Sequence, residues 1–182
     1  MTKIVLTFGL ISGVIIAALV WLNGSLIAAQ QINWDRAELL GYASMLIALS
    51  MVFFGIKSYR DKHAGGTIGF WKGLKVGLLI SLIAGVIYFV GAWSYGATHP
   101  AFVDQFMDAY KQKMAADMTA KGSTQEEIDK ARGEGEQMVK LMRNPFIFFC
   151  ICLIEIMPVA LVVTLISAAL LRKREILAVG PA

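Results

Sequence analysis

Four stretches of this 182-residue chain are long enough, and poor enough in charge, to cross a lipid bilayer. No Asp, Glu, Lys or Arg lies between Lys3 and Asp35. The same pattern returns in residues 39–56, 76–95 and 144–171, with Glu155 as the one exception. A hydrocarbon layer about 30 Å thick requires a helix of ~20 mostly apolar residues. The sequence therefore predicts an all-α, polytopic membrane protein with four transmembrane helices, at about 4–29, 38–58, 72–96 and 145–171.

Composition agrees with this class, because 57% of the residues are hydrophobic and 16% are charged. Soluble domains carry more charge than this. The length leaves room for a single membrane domain over 1–182. A net charge of +4 would suggest a nucleic-acid partner if it lay in one exposed cluster, but it follows the ends of the apolar segments. We therefore expect membrane lipids as partners, and no nucleic acid.

Charge also predicts which side each loop occupies. The segments at 35–38 and 98–143 each carry a net charge of −1. The remaining segments hold Asp61, Glu175 and nine basic residues, and so carry +7. Those nine are Lys3, Lys57, Arg60, Lys62, Lys72, Lys75, Arg172, Lys173 and Arg174. Because short basic loops stay in the cytoplasm, we expect both termini and residues 57–75 inside, and 98–143 outside.

The first apolar run begins after Met-Thr-Lys, as a cleaved signal peptide would. It reaches Ala29, however, which is well beyond the 7 to 15 apolar residues of a signal peptide, and Ala28-Ala29 is a weak cleavage site. We expect this helix to be retained.

A row of small residues at four-residue spacing opens the third span. It consists of Gly73, Gly77, Ser81 and Gly85. Small residues in this arrangement let two helices approach closely, which supplies packing energy in lipid. The row has two interpretations: packing within one bundle, or a seam between two copies of the chain.

Residues 100–143 differ from the spans, because they are charged and amphipathic. Pro100 is suited to the first turn of a helix, Lys121-Gly122 to its end, and Ser123 with Glu126 to a capping box that starts a second helix. One apolar stripe comprises Phe102, Phe106, Tyr110, Met114 and Met118, and the other Ile128, Ala131, Gly135, Met138 and Met142. We expect an extracytoplasmic amphipathic helical hairpin, which either binds a protein partner or caps the bundle.

Glu155 is the sharpest candidate for chemistry. A charged side chain near the middle of a bilayer costs ~2.5–3.5 kcal/mol, and such residues usually face the interior of a bundle. Pro158 removes the backbone donor that would bond to the carbonyl of Ile154, leaving an acceptor beside the carboxylate. The pair suggests a site for an ion or a proton. The alternative is a protonated Glu155 hydrogen-bonded to a neighbouring helix, with Asn23, Ser44, Ser50 and Tyr88 as candidate partners.

The loop between the second and third spans is basic, glycine-rich and aromatic. Lys57, Arg60, Lys62 and Lys72 suit either plain anchoring at the membrane surface or a site for a lipid headgroup or partner. Gly65-Gly66 permits a tight turn whose amides could meet an anion. The spacing fits neither a Walker motif nor a dinucleotide fingerprint.

No other constellation predicts chemistry. His63 and His99 fall on opposite sides of the predicted topology, so no metal site is expected. Cys150 and Cys152 point to different faces of one helix and cannot readily pair with each other. We expect no cofactor and no catalytic residue.

Residues 41–72 carry a family resemblance. Gly-Ile-Lys-Ser-Tyr-Arg-Asp at 55–61, a Gly-Gly turn at 65–66 and Gly-Phe-Trp-Lys at 69–72 resemble the bacterial membrane family called domain of unknown function 4199. The resemblance implies a small protein with about four spans in a bacterial inner membrane. It implies no activity.

Three functions remain open. The first is a non-enzymatic interaction protein or accessory subunit of an envelope complex, through a homo-oligomer or a partner at residues 100–143. The second is a small oligomeric transporter or channel built around Glu155. The third is a lipid-phosphate enzyme that holds its substrate with Lys57, Arg60 and Lys72, for which Asp61 is the visible acid or base.

Overall fold

The computed structural model describes residues 1–29, 31–32 and 34–172, without the side chains of Trp34, Asp35, Tyr110, Met138 and Val139. This part of the chain forms six helices. They are α1 (Thr2–Ala28), α2 (Trp34–His63), α3 (Phe70–Thr98), α4 (Pro100–Ala120), α5 (Gln125–Met142) and α6 (Pro145–Leu171). Lys173, Arg174 and Glu175, whose charges contribute to the predicted topology, lie outside the described residues. The sides of the two termini therefore stay a prediction.

Four of the helices, α1, α2, α3 and α6, are long and apolar enough to cross a membrane. They indicate a multi-pass membrane protein, and they confirm the expectation of an all-helical chain with four such helices. The second helix exceeds the predicted span 38–58 at both ends. Its last turn holds Arg60, Lys62 and His63, polar residues that can continue a helix beyond the hydrocarbon layer.

The third helix is the centre of the bundle. It packs against α1, α2 and α6, while α2 also contacts α1 and α6. The helices α1 and α6 thus lie on different sides of the α2–α3 pair. Apolar side chains fill the space between α2, α3 and α6, among them Val52, Ile56, Val76, Ile80 and Ile156, which are fully buried.

The contact between α1 and α3 depends on glycine. A Cβ atom on Gly13 would lie 2.6 Å from the Cβ atom of Ile87, and one on Gly24 would lie 2.5 Å from the ring of Tyr95. In the other direction, Gly91 faces Ala17. No side chain larger than hydrogen fits at these positions, so the backbones approach closely.

The predicted row of small residues lies on the other side of α3. Gly73 faces Ala168, Gly77 faces Thr164, and Gly85 faces Leu153, so the row receives α6. Gly73, Gly77, Ser81 and Gly85 are all buried. Neighbours from the same chain occupy this row, which leaves no exposed surface there for a second copy.

Polar side chains add hydrogen bonds between α1 and α2. The Ser12 hydroxyl donates to the carbonyl of Ala48 over 2.7 Å, and the Asn23 amide donates to the Ser44 hydroxyl over 3.1 Å. Satisfying buried polar groups in this way avoids the cost of leaving them unpaired in lipid.

The polar segment between the third and fourth spans forms two helices that contact each other, α4 and α5. Pro100 occupies the first turn of α4, as predicted. The turn that follows uses Gly122 at φ +80°, where glycine carries no steric penalty. Its amide donates to the carbonyl of Thr119 over 3.0 Å, and the Ser123 amide donates to Met118 over the same distance.

The predicted capping box is wrong by one residue. Thr124, not Ser123, is the N-cap of α5: its hydroxyl accepts from the Glu127 amide, and the Glu127 carboxylate accepts from the Thr124 amide. Both pairs match the same sequence pattern. Ser123 cannot serve because its own amide closes the end of α4.

The apolar stripe predicted for α4 does not coincide with the most buried residues of that helix. Its most buried residues are Met107 and Ala115, one position beyond Phe106 and Met114, which are half-buried. A turn takes 3.6 residues, so a row every four residues drifts around the helix and neighbouring positions take over the contact. In α5, Ile128 is buried, as the stripe predicts. The side chains of Tyr110 and Met138 lie outside the described residues.

Candidate functional site

Glu155 occupies the middle of a membrane-length helix. It is the eleventh residue of α6, about 15 Å along the axis from Pro145. Glu155 is an exposed residue on the outside of the bundle, whereas such residues usually face the interior. Its carboxylate turns back to α3 in a partly buried hydrogen bond. Its neighbour Ile154 is 72% exposed. The sequence could not predict this orientation, since large apolar side chains occur on every side of α6.

Tyr88 of α3 holds the carboxylate. Its hydroxyl donates to Oε2 of Glu155 over 2.7 Å, and its ring is buried. Of the other candidates, Asn23 donates to Ser44, and the Ser50 hydroxyl donates to a carbonyl of its own helix. The hydrogen bond therefore joins α3 to α6 at the surface of the bundle.

Pro158 lies one turn beyond Glu155, inside α6 and exposed. Because proline has no N–H, the carbonyl of Ile154 receives no helical hydrogen bond from this position. The carboxylate and this carbonyl are therefore two acceptors on neighbouring residues of α6.

The surrounding surface is apolar. Between Ile154 and Leu165, six exposed residues fall within roughly 120° of the helix circumference, and we name them the outer α6 face. They are Ile154, Glu155, Pro158, Leu161, Val162 and Leu165. The opposite side of α6 packs on α2 and α3, and α5 contacts the helix as well. The outer α6 face thus presents one carboxylate in an apolar surface at mid-span.

The four basic residues predicted to meet a headgroup or partner do not converge on one point. Arg60 pairs with Asp61 at 2.7 Å, and the Lys72 ammonium lies 5.9 Å from the centre of the Tyr59 ring. Lys57 and Lys62 line a groove beside α1 instead. Its remaining lining residues, which the sequence reasoning missed, are Phe8, Met51, Phe54, Ser58 and Asp61.

The Gly65-Gly66 turn forms as expected, with φ values of +62° and +85°. Two amides of this turn donate hydrogen bonds to carbonyls of the same segment. The Gly66 amide donates to the carbonyl of Arg60 over 3.0 Å, and the Thr67 amide donates to Ala64 over 3.1 Å. These two donors are therefore not available to an anion.

An aromatic cluster at the opposite end of the bundle was also missed. His99 stacks on Tyr95 with ring centres 4.4 Å apart, and Trp21 and Phe102 meet the Tyr95 ring edge-on. In the sequence, the four-residue spacing of Tyr95 and His99 could have indicated that the two rings stack. The cluster ties α1, α3 and the start of α4 together.

Among the described residues, no group of three or more His, Cys, Asp or Glu side chains is placed to hold a metal ion. Cys150 and Cys152 are free, with Cys152 buried and Cys150 half-buried. His63 stacks on Tyr59, at the end of the bundle opposite His99.

Residues 7–173 match the family described as protein of unknown function, DUF4199. The match covers almost the whole chain and confirms the resemblance seen in the residues around 41–72. No curated protein and no solved structure matches the chain.

Proposed function

The chain belongs to the DUF4199 family of unknown function, and from its own residues we propose that it is a non-enzymatic interaction protein. In this proposal the outer α6 face binds a transmembrane helix of a different membrane protein, as an accessory subunit of an envelope complex. The protein lies in a bacterial inner membrane with both termini in the cytoplasm. Helices α4 and α5 form an extracytoplasmic hairpin, in keeping with the charge of the loops.

The exposed position of Glu155 carries the proposal. A charged side chain at this depth costs ~2.5–3.5 kcal/mol on insertion scales, and the single hydrogen bond from Tyr88 offsets only part of that cost. The cost falls when a protein partner covers the group and donates hydrogen bonds to it. The outer α6 face is an apolar surface around one polar group, which is the composition of a helix-binding surface in lipid.

The hydrogen-bonding capacity of the site supports a partner with donors. A carboxylate offers about four acceptor positions on two oxygens. Tyr88 donates to one oxygen, and the carbonyl of the neighbouring Ile154 is a further acceptor without a helical donor from Pro158. The complement is a side chain with several N–H donors, such as Lys, Arg, Asn or Gln, at the middle of the partner helix.

A second copy of this chain is a poor complement. Its basic residues lie at the ends of the spans, and none lies at the depth of Glu155. Two copies meeting symmetrically at the outer α6 face would bring two Glu155 side chains together. Charge complementarity therefore favours a different protein.

The α4–α5 hairpin provides a second contact in this proposal. It is anchored to the bundle by an ion pair between Lys113 and Glu38 at 2.9 Å, and α5 contacts α6. A partner on the outer α6 face would therefore meet the hairpin outside the membrane.

Deleting residues 101–140 should weaken partner binding, while the protein still inserts into the membrane. Unchanged binding would mean that the hairpin only caps the bundle.

Photocrosslinking in the source membrane tests the proposal. A photoreactive amino acid at Ile154 or Val162 should form an adduct whose peptide is a transmembrane segment with a basic or amide residue. Val14 of α1 is a matched control, since it is 62% exposed near mid-span on a different helix. It should give lipid adducts.

The Glu155→Leu variant should abolish the protein adduct from Ile154, and Glu155→Gln should reduce it. Lipid adducts alone from the outer α6 face would overturn the proposal. So would adducts with a second copy of the chain, or equal protein adducts from Val14.

The other two functions receive less support. A conduit within one copy would need Glu155 in the interior, and an oligomer could not use the row from Gly73 to Gly85, which is filled by α6. A lipid-phosphate enzyme would need Arg60 and Asp61 to act separately, whereas they pair with each other.

A further inference from the structure

A groove between the start of α1 and the end of α2 has an apolar part and a charged part. It is open, with a volume of about 490 Å³. Phe8, Met51 and Phe54 form the apolar part, and Lys57, Ser58, Asp61 and Lys62 form the polar part. The two parts follow one another along α2, so the groove is amphipathic along the direction of a membrane-spanning helix.

The dimensions fit one leaflet of a bilayer. From Met51 to Lys62 the helix rises about 16 Å, and half of the hydrocarbon layer is about 15 Å. The apolar residues lie towards the middle of the span and the lysines towards its end. A bound molecule would therefore have its apolar portion at hydrocarbon depth and its polar portion at the membrane surface.

The charges of the groove favour an anion. Lys57 and Lys62 both line it and are exposed. The one acidic lining residue, Asp61, is paired with Arg60 at 2.7 Å. The Ser58 hydroxyl adds a polar group between the two lysines along α2. The polar part of the groove thus has a net positive charge and hydrogen-bond donors, which suit a phosphate.

We propose that this groove binds an anionic phospholipid, with its phosphate between Lys57 and Lys62 and an acyl chain along Met51, Phe54 and Phe8. A free phosphate would share the polar contacts but would leave the apolar part unoccupied. The site is separate from the outer α6 face, so the two proposals succeed or fail independently.

Native mass spectrometry of the full chain in phospholipid nanodiscs tests this site. Nanodiscs containing phosphatidylglycerol and phosphatidylcholine should yield protein with phosphatidylglycerol bound in preference. One lysine near an anionic surface is worth ~1 kcal/mol, or about a fivefold change in binding. Lys57→Gln with Lys62→Gln should therefore lower the preference about 25-fold.

The matched control is Lys3→Gln with Lys75→Gln, which removes the same charge from exposed positions at the same end of the bundle. It should change the preference less than threefold, as expected of distant, screened charges. Phe54→Ala should weaken binding of phosphatidylglycerol, and the half-exposed ring can be removed without opening the core.

Three results would overturn the proposal. Equal losses in the two double variants would mean diffuse attraction to the membrane surface. Equal binding of both lipids by the unaltered protein would mean no anion site. Displacement of phosphatidylglycerol by inorganic phosphate, with no effect of Phe54→Ala, would assign the groove to a free phosphate.

Discussion

The membrane bundle and the α4–α5 segment are both helical, but different interactions hold them. In the bundle, glycines such as Gly13 and Gly77 lie against side chains of the next helix. In the α4–α5 segment, stability comes from the Thr124–Glu127 capping box and from ion pairs such as Lys113 with Glu38. One region is held by close packing between helices, and the other by polar contacts, at the start of α5 and between side chains of α4 and α2.

The surroundings explain the difference. In lipid, helices gain no hydrophobic energy from meeting each other, so close packing and a few hydrogen bonds must hold them. Where water is present, helix ends can be capped and charges paired, each for a modest gain. The bundle should therefore be sensitive to single methyl groups, and the α4–α5 segment should tolerate most changes.

The largest effect on stability should come from placing a side chain at a glycine that packs against the next helix. In Gly13→Leu, even the Cβ atom would lie 2.6 Å from that of Ile87, so α1 and α3 must separate. Overpacking of this kind lowers the free energy of unfolding by about 3 kcal/mol. Gly41→Leu is the control, because nothing lies within 4 Å of that site. Denaturant unfolding in detergent micelles should give a lower free energy of unfolding for Gly13→Leu than for Gly41→Leu. Equal values would contradict the claim that close packing holds α1 against α3.

A smaller effect should follow from removing the cap of α5. Thr124→Ala removes the N-cap side chain, and such losses cost about 1 kcal/mol. Ser123→Ala should cost much less, since the structure uses only the backbone amide of Ser123. Hydrogen exchange at the first amides of α5 measures both. Faster exchange in Ser123→Ala alone would instead identify Ser123 as the N-cap residue, as the sequence indicated.

The next largest effect on stability should come from the hydrogen bond between Tyr88 and Glu155. Tyr88→Phe should lower stability by ~0.6 kcal/mol, the average for hydrogen bonds between membrane helices. Tyr42→Phe, at an exposed tyrosine of α2, should have no effect. A double-mutant cycle with Glu155→Gln gives the coupling energy between the two side chains. Zero coupling would remove Tyr88 as the residue that holds the carboxylate.

The smallest effect should come from the exposed ion pair. Glu38→Gln combined with Lys113→Gln in a double-mutant cycle should give a coupling of about 0.5 kcal/mol, as is usual at surfaces. The coupling should decrease as salt is added, because exposed charges are screened. A coupling above 2 kcal/mol would mean that this contact, and not the caps, positions the α4–α5 segment.

The sequence predicted the features that depend on one helix at a time. The four membrane-length helices follow from long runs that are almost free of charge, and Pro100 and Gly122 mark helix ends by their own chemistry. The capping box was misplaced by one residue because Ser123 and Thr124 both precede a glutamate by three positions. Choosing between them requires knowing that the Ser123 amide already closes α4.

Features that depend on helix orientation were less predictable. Tyr88 was one of four candidates for Glu155, but nothing in the sequence of α6 indicated that Glu155 lies on the outside of the bundle. The groove could not be predicted either, because Phe8 and Phe54 line one surface only when α1 packs on α2. The small-residue row was visible, whereas its occupation by α6 depends on the packing of the whole bundle.

The most direct test of the central claim is native mass spectrometry of complexes extracted with their lipids from the source membrane. We predict a second polypeptide at fixed stoichiometry, with a basic or amide residue in a transmembrane segment. This polypeptide should be absent when Glu155 is replaced by leucine and present in the Gly41→Leu control. Copies of this chain alone, or a complex that survives Glu155→Leu unchanged, would contradict the claim that the outer α6 face binds a different protein.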